Sequence, residues 1–308
     1  MKKFLKHIGI FTILLIIPCI GFEIMLRHIP NSFRFKRELI ETEGHRMKNI
    51  IIGSSVTNCS IIPSSLGDST YNLSISGEWI PYNHKLLELY ADYMPNVKNI
   101  IWGIAYQTLW LEDRYEQDKV SITHHCIYMD ISASQNIFHR FELMNGSIAL
   151  RKWSKYYLNH QRTMWCDSLG TDHSYDLSER SADWKNDIAH KANGHTIPLH
   201  PETEKIFENN LKHIDAVADM CRQKGIRLYF VIPPVHKDYY AQMDELHVNN
   251  IRTTLKRVTA KWSHTAVLDY LDDTRFEDDD FYDGSHLSSD KGAIKFSKIL
   301  KDTLQLDR

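Results

Sequence analysis

Apolar residues first run unbroken along this chain and then recur in short bursts between polar stretches of helical period. The first run extends from Ile8 to Leu26 and is interrupted mainly by Thr12, Pro18 and Glu23. Its length is that of a minimal membrane span. Lys2, Lys3 and Lys6 precede it, the flank expected on the cytoplasmic side. Arg27, Arg34, Lys36 and Arg37 follow, which weakens the charge asymmetry. No small-x-small cleavage site follows the run, so residues 1–28 read as an uncleaved single-pass anchor and not as a signal peptide. The remainder is expected outside the cytoplasm. Residues 29–46 are polar and basic and read as a connector.

Beyond the connector the bursts are short and β-branched, as expected for strands buried on both faces. They fall at Asn49–Gly53, near Tyr71–Ile75, at Lys98–Ile104, at Ile226–Ile232 and at Thr265–Asp269. Between them lie helical patterns: about Pro81–Met94, ended by Pro95; Glu204–Lys224, closed by Gly225; Met243–Trp262; and Ser288–Leu304. Strand and helix alternate, which predicts an α/β domain over residues 47–308 with a parallel sheet and crossover helices. The alternation lapses at about residues 107–202. That stretch is rich in aromatics such as Trp110, Trp153, Trp165 and Trp184 and reads as a mostly helical insertion. Within it Ile137–Asn159 is expected to be helical and Cys166–Pro201 loop-like.

Composition narrows the function. A net charge of −2 gives no reason to expect nucleic acid as a partner. The 17 histidines are scattered without an HExxH or Cys/His cluster, so no metal is expected, and adjacent His124 and His125 would diverge on a regular element. Cys59, Cys126, Cys166 and Cys221 match no disulfide or zinc framework and are expected as buried thiols, with Cys19 in the span.

Two places carry candidate chemistry. The first strand stops at Gly53-Ser54-Ser55, which places a serine at the carboxyl edge of the sheet, where open α/β folds hold ligands. Near the other end, Asp283-Gly284-Ser285-His286 precedes the terminal helix. A nucleophilic serine needs a base within hydrogen-bond reach and a carboxylate to orient that base. Asp283 and His286, three apart across a tight turn, can face the same way.

Taken with Asn72-Leu73-Ser74-Ile75-Ser76-Gly77, these motifs resemble the blocks of the SGNH (GDSL-like) hydrolase superfamily. The resemblance implies a flavodoxin-like three-layer sandwich. It makes Ser55 the nucleophile, His286 the base and Asp283 its partner, and it gives the Ser55 and Gly77 amides to an oxyanion hole. The family's Gly-x-Asn block is altered: after Trp102-Gly103-Ile104, Ala105 stands where the asparagine belongs. Gln107 is the candidate replacement donor, with Tyr106 beside it. The layout of one span, an early serine and a late Asp-x-x-His is similar to that of the membrane-anchored branch, including the D-alanyl transfer protein and acyl-modifying proteins of surface polysaccharides. That likeness implies a bacterial periplasmic or cell-surface serine esterase or O-acyltransferase acting on an acylated glycan. It implies no cofactor, and a membrane acyltransferase as a candidate partner. The alternative it leaves is a catalytically degenerate protein that binds glycan or assembly partners.

Overall fold

Five short strands form one sheet: β1 (Asn49–Ile52), β2 (Thr70–Asn72), β3 (Asn99–Gly103), β4 (Arg227–Ile232) and β5 (Thr265–Asp269). The structure, a computed structural model, describes residues 1–112, 119–304 and 306. Its helices are α1 (Lys2–His28), α2 (Ser32–Glu43), α3 (Ser55–Asn58), α4 (Pro63–Leu66), α5 (Ile80–Tyr90), α6 (Lys119–Tyr128), α7 (Ser147–Trp153), α8 (Ile188–His195), α9 (Pro201–Lys224), α10 (Lys237–Tyr240), α11 (Glu245–Lys261) and α12 (Gly292–Leu304). The chain divides into two compact units, Met1–Arg37 with Arg114–Met164, and Glu38–Asp113 with Trp165–Arg308.

The second unit holds the whole sheet. Its order is β2-β1-β3-β4-β5 and every pairing is parallel. The apolar bursts fit this role because successive side chains point to opposite faces and both faces are covered. Ile51, Ile101 and Val231 pack on one face against Leu66 of α4 and Phe296 and Leu300 of α12. Trp102 and Phe230 point the other way, their rings 5.9 Å apart, and the Trp102 indole N–H donates to Asn83 of α5 at 2.7 Å. The chain leaves β1 for β2 on one side, and β3 lies on the other. The carboxyl ends of β1 and β3 therefore flank the point where strand order reverses, the place where open parallel sheets form a crevice.

The helix boundaries differ from expectation where local chemistry intervenes. The run expected to be helical from Ile137 to Asn159 is broken into short turns, and only α7 is α-helical. Gly146 sits at φ +54°, a left-handed conformation that stops the preceding turn before α7 begins. The stretch read as loop-like, Cys166–Pro201, contains α8 and two turns of 3₁₀ helix, and α9 begins at Pro201. The connector is α2 followed by a 3₁₀ turn, and Leu39 and Ile40 of α2 are buried. In α9 the His200 side chain accepts from the Thr203 amide while the Thr203 hydroxyl accepts from the His200 amide, a reciprocal cap.

The first unit contains α1, 27 residues long and apolar enough to cross a membrane, with nearly all of it exposed. Only its last turns are covered. Leu26 and the following Ile29 are buried with Ala149 among Phe22, Leu143, Trp153, Tyr156 and Tyr157.

Candidate active site

The turn after β1 is built around two glycines and a threonine. Gly53 adopts φ +133°, and a Cβ there would lie 2.6 Å from Thr57 Oγ1 and 3.0 Å from the Gly103 carbonyl. Glycine is required on both counts. Ser54 is extended and Ser55 is the first residue of α3. Thr57 fixes the turn: its hydroxyl donates to the Ser54 carbonyl at 3.1 Å and accepts from Ser74 Oγ at 3.0 Å. The buried Asn72 side chain donates to the Thr57 carbonyl at 2.9 Å and the Ile61 carbonyl at 3.2 Å. Ser55 is thus held by the two strands beside it.

The second half comes from the loop before α12. Phe281 and Leu287 form a short antiparallel bridge and bury their side chains in the core. This pinches residues 282–286 into a tight loop. Asp283 Oδ1 accepts from the Ser285 amide at 2.8 Å and the His286 amide at 2.9 Å. The loop therefore folds around its own carboxylate, as aspartate often arranges in turns.

The two halves meet. Ser55 Oγ lies 2.8 Å from His286 Nε2, and His286 Nδ1 lies 3.0 Å from Asp283 Oδ1 and 3.1 Å from Oδ2. An ionised carboxylate only accepts, so Nδ1 carries the ring proton and Nε2 presents its lone pair to the serine hydroxyl. Burial pushes the Asp283 carboxyl up. The His286 charge and hydrogen bond, the Lys191 ammonium and the Ser285 amide outweigh it and hold the group well below the usual carboxylate range. Lys191 Nζ, on α8, is 3.2 Å from Asp283 Oδ2.

A pocket of about 80 Å³ opens beside Ser55 and His286, and Ala105, Gln107, His195 and Tyr239 also line it. Gln107 is therefore on the same cavity as the serine. The Ala105 methyl offers no hydrogen-bond donor, and its amide donates to Thr108 Oγ1 at 2.9 Å. The Tyr106 hydroxyl pairs with Thr196 Oγ1 at 3.0 Å and accepts from the Asp244 amide at 2.8 Å. Both of those bonds engage the phenol elsewhere, so Gln107 is the better of the two side chains for a donor role. Gly77 lies on the exposed turn after β2 at φ +77°, and the Ile75 amide donates to the Gly53 carbonyl at 3.2 Å. Gly77 does not line the 80 Å³ pocket.

Sequence reasoning missed four neighbours. The Tyr175 ring lies 4.9 Å from the His286 ring and 5.1 Å from that of Tyr282. His195 Nδ1 is 2.5 Å from the buried Tyr239 hydroxyl. Burial lowers the His195 pKa, with His286 and Lys191 acting the same way against Asp283. Burial likewise raises the Tyr239 phenol. Lys191 is the fourth. All except Tyr239 come from residues 165–202, which carry no motif. Among the described residues no group of His, Cys, Asp and Glu side chains is placed to hold a metal. Cys59, Cys126, Cys166 and Cys221 are buried free thiols.

No family model matches this chain. No curated protein matches it. Among solved structures it is similar to one described as "The structure of a putative platelet activating factor from Streptococcus pneumonia", with 14% identity, 96% of this chain and 99% of the other covered, and a TM-score of 0.44. What the fold and site define is a class: a parallel α/β sheet with serine, histidine and aspartate in hydrogen-bonded series at the carboxyl end of β1.

Proposed function

We infer that this chain is a serine esterase or O-acyltransferase of the SGNH kind. It is anchored by α1 with its α/β domain outside the cytoplasm, and it acts on acyl groups of a surface polysaccharide. One observation carries the chemistry: the unbroken series Ser55 Oγ, His286 Nε2, His286 Nδ1, Asp283 Oδ1 at 2.8 and 3.0 Å. Asp283 holds the imidazole in the tautomer that makes Nε2 a base. His286 takes the hydroxyl proton as Oγ attacks the acyl carbonyl carbon, and the carbonyl π pair moves to oxygen. The tetrahedral intermediate collapses and expels the alkoxide, which takes the proton back from Nε2. Water or a sugar hydroxyl then attacks the acyl-serine by the reverse steps, releasing a carboxylic acid or a new ester. No metal or organic cofactor enters these steps.

The Ser55 amide is assigned to the developing oxyanion, with the Gln107 side chain in place of the family's asparagine; Gly77, which lies off the pocket, is the further donor that the resemblance implies. The small pocket beside Ser55, about 80 Å³, supports a short acyl group. A membrane acyltransferase that hands over the acyl group fits the same reading as a partner.

The test is covalent labelling of the detergent-solubilised full chain with a fluorophosphonate, paired with turnover of p-nitrophenyl acetate. Wild type is expected to label once, at Ser55, and Ser55→Ala to abolish both signals. Ala105 favours a second reading, a glycan-binding protein with a degenerate site, because its methyl donates nothing to an oxyanion. An unlabelled wild type that retains glycan binding would establish that reading and sink the first.

A further inference from the structure

The first unit exposes far more apolar surface than the rest of the molecule. Outside residues 1–28, the described residues include twelve large apolar side chains that are well exposed, and seven of these fall within residues 137–158. Five of them, Ile137, Phe138, Phe141, Met144 and Ile148, precede or open α7. Scattered exposed leucines need no explanation, but a cluster of this density marks a surface that meets something apolar.

The position of the cluster on α1 identifies the occupant. The Glu23 carboxylate accepts from the Glu142 amide at 3.1 Å and the Leu143 amide at 3.0 Å. The Phe22 and Trp153 rings are 5.7 Å apart, and the Tyr157 hydroxyl donates to the Met25 carbonyl at 3.0 Å. The cluster is thus attached to the turns from Phe22 to Arg27. From Phe4 to Phe22 the helix rises about 27 Å at 1.5 Å per residue, close to the ~30 Å hydrocarbon thickness of a bilayer. If α1 spans, these turns lie where hydrocarbon gives way to headgroups. Charge and aromaticity agree. The exposed charges of residues 137–158 include Arg140, Arg151 and Lys155, and the segment's single acidic residue, Glu142, is buried. Trp153, Tyr156 and Tyr157 are half-buried there, the residue types that gather at membrane interfaces.

We propose that residues 137–158 rest on the bilayer surface as a second, monotopic membrane contact. Phe138, Phe141, Met144 and Ile148 enter the boundary between headgroups and acyl chains, and Arg140, Arg151 and Lys155 meet anionic headgroups. This rests on the reading of α1 as a span, and the two can fail separately.

The experiment uses the full chain reconstituted in vesicles of phosphatidylethanolamine and phosphatidylglycerol. An environment-sensitive fluorophore is attached to one cysteine at a time. The native Cys19, exposed on α1, reports the span itself. In a Cys19→Ser background, Phe138→Cys and Ile148→Cys report the proposed contact, and Leu246→Cys on α11 is an exposed control. The expected result is blue-shifted emission at positions 138 and 148, lost when shallow nitroxide-labelled lipids are added, with no such loss at 246. Quenching at 138 and 148 by aqueous iodide alone overturns the proposal, whatever Cys19 reports. Cys19 separately decides the span by its response to a deep nitroxide lipid.

Discussion

At the scale of single residues, Asp283 does the most work per atom. It orients His286 through Nδ1, folds its own loop through the Ser285 and His286 amides, and pairs with Lys191. Asp283→Asn keeps the shape but offers a neutral partner that can bond the wrong tautomer. Turnover of p-nitrophenyl acetate is expected to fall by about 10³–10⁴-fold, as losses of an orienting carboxylate do in serine enzymes. The same residue sets a pH dependence of stability. Its folded pKa lies below its unfolded value, so its contribution is fully present above the unfolded pKa of about 4 and is lost as pH falls further. Wild-type acid unfolding, followed by circular dichroism, should therefore be steeper below about pH 4 than that of Asp283→Asn. Equal slopes would show that the carboxylate is not the stabilising group. Ser55, Asp283 and His286 are legible in the sequence because each sits in a short motif whose residue types have few other reasons to occur together. Tyr175, Lys191 and His195 are not, because a tyrosine, a lysine and a histidine in a motif-free stretch mean nothing until the chain folds them onto the loop.

At the scale of elements, the site depends on how closely β1 and β3 approach behind the serine. Gly103 ends β3, and a Cβ there would lie 2.0 Å from Thr57 Cγ2, too close for any rotamer of that buried side chain to absorb freely. Gly103→Ala is expected to cost about 1–3 kcal/mol, the range for overpacking a tight core. Thr57→Ser removes the offending methyl and keeps the hydroxyl that bonds the Ser54 carbonyl. The two substitutions should therefore couple, with Gly103→Ala costing less in the Thr57→Ser background by urea unfolding. Additive costs would mean that Thr57 is not what Gly103 makes room for. The strands are readable as apolar bursts and the long helices α9 and α11 as helical patterns, while their caps at His200 and Asp244 emerge only in the structure. The segment around α7 is not readable in this way. Its apolar spacing resembles a continuous helix, but Asn136 caps a 3₁₀ turn at its start and Gly146 divides it, and the side chains that would have formed a buried face are exposed.

At the scale of the whole molecule, the N-terminal helix matters for what its end is fastened to. In the sequence Glu23 is only a blemish in an apolar run. In the structure it is largely buried and is the clasp of the first unit: it takes two backbone amides from residues 142 and 143 and the Arg27 Nε–H at 2.7 Å. Arg27 in turn donates to the Arg140 carbonyl at 2.5 Å. A carboxylate so placed satisfies donors that would otherwise be buried without partners, and leaving one such group unmet costs about 1–3 kcal/mol. Glu23→Ala should loosen residues 139–146 from α1 without touching Ser55 or His286. Hydrogen exchange on the reconstituted chain is the measurement: faster exchange at the Glu142 and Leu143 amides, with esterase turnover unchanged. Glu23→Gln keeps one acceptor oxygen and should fall between the two. If exchange at 142 and 143 does not move in Glu23→Ala, those amides are protected by something other than the Glu23 carboxylate, and the end of α1 is held to its neighbours by the packing of Phe22 and Leu26 and by the Tyr157–Met25 and Arg27–Arg140 bonds.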